Sequence, residues 1–344
     1  MACVWQVMLP PGPSDRVMEV SEIFDEVHLI EDALTVYRDD GELRRLNENR
    51  STKPVTVSSH LFAAIDAGLR LTAATGRRFD VTSESLIALW RRRRAEDTIP
   101  SQTEIDEALA CCGPESVRLD PQARTIERSR PGVAFNMGGL GKGFALDGIA
   151  SLLLDAGIDD FLIHGGHSSV YAAGTCGTAD GWPVALRNPL LTEEVFGTYL
   201  LKDQGLSSSG SNVQYFRHKG RRYGHLLDPR TGWPADRMLS ATVIAPTATA
   251  ADALSTAFFV GGLDFARDWC DTAAPKASTD ADRASGSPEP AGSPVWAVVT
   301  PKAEGRQIEP VSLGKEFSAS SGPRFYPQRG AAVTRPTDHR RAAD

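Results

Sequence analysis

The chain predicts an α+β fold. Short strand-like runs and helical stretches follow one another without the strict alternation of a doubly wound sheet. A glycine-rich bend joins the apolar run Val133–Phe135 to a stretch of helical period, Ala145, Leu146, Ile149, Leu152 and Leu153, which reads as strand, turn, helix. With 41% hydrophobic and 24% charged residues, the 344-residue chain has the core for one large or two modest domains. A net charge of -7 gives no encouragement to nucleic-acid or membrane-surface binding, and no apolar run reaches the length that spans a bilayer. Met1–Trp5 lacks the basic and apolar regions of a secretory signal. The five cysteines are odd in number and form no Cys-x-x-Cys pair. Reduced thiols and a cytoplasmic location are therefore expected.

In chain order, Trp5–Met8 reads as a strand and Val17–Ala33 as a helix with Val20, Ile23, Phe24 and Val27 on one face. Leu34–Tyr37 is strand-like, and Asp39–Gly41 turns into a polar helix ending at Asn47. Ser58 is a good cap for a helix through Leu61, Ile65 and Leu69 that Gly76 stops. A helix over Ser85–Arg94 turns Trp90 inward and its arginine run to solvent, and Pro100–Ala110 is a further capped helix. Ser116–Asp120 and Thr125–Arg128 form a hairpin. Beyond the glycine bend, strands are expected at Phe161–His164, Val170–Ala172, Val184–Leu186 and Val195–Leu201, and a turn at Leu206–Gly210. A hairpin then pairs Val213–His218 with Arg222–Leu227, followed by a strand at Ser240–Ile244 and a helix at Ala250–Phe259. Composition divides the chain into a main domain over 1–271, a Ser-, Ala- and Pro-rich disordered insertion over 272–294, a terminal strand region of the same domain over 295–313 and a disordered tail over 314–344.

Four glycines (Gly138, Gly139, Gly141, Gly143) with Lys142 among them make the bend a candidate anion site, because free N–H groups at a helix start attract negative charge. A Walker loop is excluded because Gly143 follows Lys142 where Ser or Thr is needed, and the dinucleotide fingerprint fails at Phe144. The simpler alternative is a turn that only packs helix against strand. Asp252 and Thr256, at i and i+4, offer hard oxygens suited to Mg2+, although such a pair also serves in capping or packing. His225–Gly232 combines a titratable ring, a carboxylate and an Asp-Pro turn; a turn closing a strand is its simpler reading. His164 with Ser168 and Ser169 invites comparison with esterases, but no G-x-S-x-G elbow exists, and His164 with His167 finds no third zinc ligand.

Taken together, Asn136–Asp147, His225–Gly232 and Ala251–Ala257 closely resemble the ApbE-like family of flavin transferases (FAD:protein FMN transferases). Tyr37 with Glu42, Leu43 and Asn47, the Gly76–Trp90 segment, and Ser209-Gly210 match in the family's order. The resemblance implies mixed or antiparallel sheets packed with helices. It also implies Mg2+-dependent transfer of FMN from FAD to a Ser or Thr hydroxyl of an acceptor protein, releasing AMP. It would make Asp252, Thr256 and the Gly139 carbonyl the metal ligands. Met1, Tyr37, Phe79, Asp80, Asn136, Gly138, Lys142 and Leu226 would lie near the flavin nucleotide. Lys142 would neutralise the diphosphate, and His225 and Asp228 are the candidates to accept the hydroxyl proton. The chain departs from the family pattern in having Asn136 for Asp, Gly41 for Ser and His167 for Asp. Two other readings use the same residues: a Mg2+-dependent FAD pyrophosphatase and a non-catalytic FAD-binding protein.

Overall fold

The computed structural model describes residues 3–12, 15–166, 168–191, 193–211, 214–272, 295–302, 310–314 and 324–327. Its elements are β1 (Trp5–Met8), α1 (Asp15–Leu34), α2 (Glu42–Glu48), β2 (Val55–Thr56), α3 (Ser59–Ala74), α4 (Glu84–Ala95), α5 (Gln102–Leu109), β3 (Val117–Asp120) and β4 (Thr125–Arg128). There follow α6 (Gly141–Asp155), β5 (Phe161–Gly165), β6 (Ser169–Ala173), β7 (Trp182–Arg187), β8 (Val195–Leu201), β9 (Gln204–Gly210), β10 (Tyr215–His218) and β11 (Arg221–Gly224). The last are β12 (Met238–Ala245), α7 (Ala248–Thr272), β13 (Trp296–Pro301), β14 (Val311–Leu313) and β15 (Arg324–Pro327).

A seven-stranded sheet in the order β1-β5-β6-β9-β12-β13-β14, antiparallel at every junction, forms the centre of an α+β fold. Side chains alternate across a strand. Ala241, Val243 and Ala245 of β12 accordingly pack under α7 with Leu254 and Phe258. Ile244 joins Leu162, Val170, Leu201 and Trp296 on the opposite face, which the β7–β8–β15 sheet covers. The helices α1, α2 and α3 enclose a separate apolar cluster that reaches the glycine bend through Phe79, Phe135 and Leu140.

Local signals hold where predicted. The Ser58 hydroxyl accepts from Leu61 N–H at 3.2 Å and starts α3. Gly76, at φ +55°, ends that region in the left-handed conformation that favours glycine. A Ser101–Glu104 capping box opens α5.

Three expectations are corrected. Leu34–Tyr37 is no strand: α1 runs through Leu34, and Tyr37 N–H then bonds the Thr35 hydroxyl at 3.2 Å in a bend. Val133–Phe135 shrinks to one bridge, Ala134 with Ser83, because its backbone groups are claimed elsewhere. Asn47 both donates to Phe135 O and accepts from Phe135 N–H at 2.8 Å, and the buried Arg128 donates to Val133 O at 3.1 Å. Leu206–Gly210 is the inner strand β9 rather than a turn. Its serines find buried partners, such as Thr242 for Ser208 at 2.7 Å, so polar side chains are tolerated at the sheet's centre. Within the segment read as a tail, Arg324–Pro327 pairs with β8. The expected insertion at 273–294, His167 and Met1 lie outside the described residues.

Candidate active site

The helices α6 and α7 cap each other. Asp147, on α6, accepts from the α7 backbone at Ala248 and Thr249, both at 2.8 Å. Asp252, on α7, accepts from the backbone N–H of Gly143 in the first turn of α6 at 3.2 Å. The two helices approach so closely that a Cβ at Gly143 would lie 2.2 Å from Ala248 O. Gly143 is thus a packing glycine, and an N–H expected to await a ligand anion is given to Asp252 instead.

Asp252 is buried and gathers donors from three elements, α6, β6 and β9. Its Oδ1 accepts from Ser207 Oγ of β9 at 2.8 Å and from Ser169 Oγ of β6 at 3.4 Å. Lys142 Nζ stands 3.7 Å from Oδ2. One turn further along α7, Thr256 Oγ1 lies 3.3 Å from Ser209 Oγ. A Cβ at Gly139 would fall 3.0 Å from that Thr256 oxygen and 3.4 Å from the Phe79 ring. Gly139, Thr256, Phe79, Lys142 and Asp252 are therefore neighbours. Ser207 did not stand out in the sequence, and Ser169 did so only in the rejected esterase comparison. Only their register, Ser169 opposite Ser207, aligns them under α7.

The group suits a hard cation. No cluster of three His, Cys, Asp or Glu occurs among the described residues. One carboxylate with hydroxyl and main-chain oxygens nearby matches the way Mg2+ is held, through few protein carboxylates and the phosphates of its substrate.

Asn136 sits at the entrance of the bend. Its Oδ1 accepts from Gly138 N–H at 2.8 Å, while its Nδ2 donates to Glu84 at 2.6 Å. Glu84 pairs in turn with Arg91 at 2.7 Å, whose guanidinium lies 5.6 Å from the Tyr37 ring. Tyr37 is 74% exposed, an aromatic face open to a ligand. Asp80 is committed internally: Arg77 Nε donates to it at 2.9 Å and Thr82 N–H at 2.8 Å. Leu226 packs beside the cluster under α7, and its carbonyl accepts from Ala235 N–H at 2.9 Å.

His225 follows β11, and its Nδ1 lies 3.0 Å from Gln214 O. Crowding by the surrounding protein lowers its pKa below the usual 6.5, and the charges of Arg94 and Lys142 act in the same direction. With Nδ1–H donated to Gln214, Nε2 is left as the acceptor. Asp228 is differently placed, gripped by Arg230 through Nε at 2.8 Å and its terminal nitrogen at 2.7 Å.

Antiparallel sheet, mutually capping helices and a single carboxylate beside a glycine bend define an α+β protein with a candidate site for a metal ion and a phosphate-bearing ligand. The comparisons with known proteins agree. The ApbE family matches residues 1–278. The FAD:protein FMN transferase of Escherichia coli is 30% identical over 275 residues, 78% of either chain, and that of Haemophilus influenzae 30% over 255 residues, 72% of either. The crystal structure of an ApbE protein from Thermotoga maritima superposes with a TM-score of 0.74 at 25% identity, covering 91% of this chain and 94% of that one. The chain belongs to the ApbE family.

Proposed function

We propose that the protein transfers FMN from FAD to a Ser or Thr hydroxyl of an acceptor protein, with Mg2+, releasing AMP. The observation that supports it most is the convergence of Asp252, Thr256, Gly139 and Lys142 at one point. Bound between Asp252, Thr256 and the Gly139 carbonyl, Mg2+ would neutralise the FAD diphosphate. Lys142 leaves Asp252 for a phosphate oxygen, a short movement from 3.7 Å. Phe79, Asn136, Gly138 and Leu226 line the nucleotide's place, and Tyr37 covers the flavin. The acceptor oxygen attacks the phosphorus on the FMN side, the bond to the AMP phosphate breaks, and His225 Nε2 takes the hydroxyl proton. Because Arg230 holds Asp228, His225 is the better proton acceptor of the two.

No helix among the described residues is long and apolar enough to cross a membrane, and none of the five cysteines is in a disulfide. The free thiols support a cytoplasmic setting.

The test is incubation with FAD, Mg2+ and a threonine-containing acceptor. Covalent flavin on the acceptor with stoichiometric AMP is expected, and Asp252→Ala abolishes it. Free FMN with AMP would instead indicate hydrolysis, and unchanged FAD simple binding.

A further inference from the structure

We infer that Glu84 is a positioning residue for the glycine bend, acting through Asn136, and that it carries the one negative charge this corner of the site admits. The inference rests on the reading that the bend receives FAD, but not on the fate of the FAD phosphates.

Glu84 opens α4, where a carboxylate in the first turn favours the helix by charge alone. That role would leave its oxygens to solvent. Instead both are spent: Oε1 accepts from Arg91 at 2.7 Å and Oε2 from Asn136 Nδ2 at 2.6 Å. The Glu84 side chain is only 14% exposed, and Asn136 lies 52 positions further along the chain. Backbone contacts join the same two segments. Ser83 bridges Ala134, Glu84 N–H donates to Ala134 O at 3.4 Å, and Asn136 N–H donates to Val81 O at 2.8 Å. The start of α4 and the entrance of the bend therefore form one piece, which the Glu84–Asn136 contact ties by side chains as well.

The order of donors and acceptors fixes which way the amide faces. Gly138 N–H can only donate, so the Asn136 atom 2.8 Å from it is the oxygen. The Asn136 NH2 is then left for Glu84, whose carboxylate can only accept, while Arg91 donates from the other side. Every contact in the row Arg91, Glu84, Asn136, Gly138 is matched. The row ends at the neighbour of Gly139, where a Cβ would fall 3.0 Å from Thr256 Oγ1. A carboxylate at 136, the residue of the family pattern, would break it. One oxygen could still accept from Gly138, but the other would face Glu84 at the present 2.6 Å with no proton between them. This chain thus keeps a carboxylate at the bend and carries it on α4.

The experiment is a cycle of full-length proteins: the parent, Asn136→Asp, Glu84→Gln and the double variant. Each exchange keeps the side chain's shape and alters only charge and donors, so a space-filling role would leave all of them alike. FAD binding is read by quenching of flavin fluorescence without Mg2+, which holds turnover off. Asn136→Asp is expected to weaken FAD about tenfold, the scale of one hydrogen bond exchanged for a repulsive contact. Glu84→Gln alone sets donor against donor and should weaken FAD as well. In the double variant the new amide donates to the new carboxylate and its oxygen still accepts from Arg91, so affinity should return to within about threefold of the parent. Asn136→Asp binding FAD as tightly as the parent, or a double variant no tighter than Asn136→Asp, would overturn the inference. A parent that binds no FAD counts against the flavin reading alone. The same cycle is then read in the Tm of the unliganded proteins, where a drop in Asn136→Asp repaired by the double variant is expected and equal Tm values overturn the inference.

Discussion

Ser207 is fully buried and has its hydroxyl 2.8 Å from Asp252, so it fixes the direction in which that carboxylate offers its remaining lone pairs. Groups that orient a metal ligand typically contribute about 10- to 100-fold in affinity. Ser207→Ala should therefore weaken Mn2+ or Mg2+ binding at least about tenfold in calorimetric titration, with the fold retained; affinity within twofold of the parent would show that the serine only fills space. His225 carries a prediction in pH. Its folded pKa is lowered, so the native state binds fewer protons than the unfolded one just below pH 6.5. The stability this contributes is present above pH 6.5 and lost as pH falls through the folded value. The same protonation removes the Nε2 lone pair, so kcat/KM should show an acid limb with midpoint below 6.5 that His225→Gln lacks. At this scale the i, i+4 spacing of Asp252 and Thr256 marks them as a pair on one helix face, and their proposed metal role comes from the family resemblance. Ser207 was not legible, because its setting, Leu206-Ser-Ser-Ser-Gly210, has the composition of a turn and reveals its partner only through cross-strand register.

The reciprocal capping of α6 and α7 makes these two helices one structural unit, and the unit can be tested without any ligand. Gly143→Ala would drive a methyl group to 2.2 Å from Ala248 O, a backbone atom with little room to yield. Overpacking of this kind costs about 1–3 kcal/mol or more, which chemical denaturation would reveal. A parental stability with lost FAD binding would instead make Gly143 a ligand contact. Asp147 supplies the opposite sign of pH dependence from His225. Burial first, and the neighbouring Asp252 charge in addition, raise its carboxyl to about 6, against the hydrogen bonds from Thr249 and Ala248. A raised acid favours the native state below its unfolded value near 4, and the advantage disappears as pH rises through about 6. Asp147→Asn should flatten the stability profile across that window. Most elements were legible because their apolar period or cap is local. Val133–Phe135 was misread because Asn47 and Arg128, remote in sequence, take the backbone bonds a strand would have formed.

Across the whole molecule, the candidate site is assembled from pieces that only the tertiary fold joins. Gly143 and Asp252 are 109 positions apart, and Asp252 also depends on β6 and β9. A ligand bound across α6, α7 and the glycine bend would hold the cluster enclosed by α1, α2 and α3 to the central sheet, since Phe79 and Leu140 belong to that cluster and Leu254 to the one under α7. Anything that binds only the native arrangement stabilises it by mass action, by about 2.7 kcal/mol at a hundredfold excess over Kd. FAD with Mg2+ should therefore raise Tm by several degrees. Lys142→Met should reduce the shift, because the diphosphate loses its protein cation, and Asp252→Ala should remove the part that depends on Mg2+. The apo protein may be compared directly, since Asp252 is otherwise a buried acceptor for Ser207 and its loss costs apo stability on its own. The decisive quantity is thus the difference between loaded and apo Tm for each variant. A Mg2+-dependent shift undiminished in Asp252→Ala would move the metal, and the chemistry with it, away from the α6–α7 crossing.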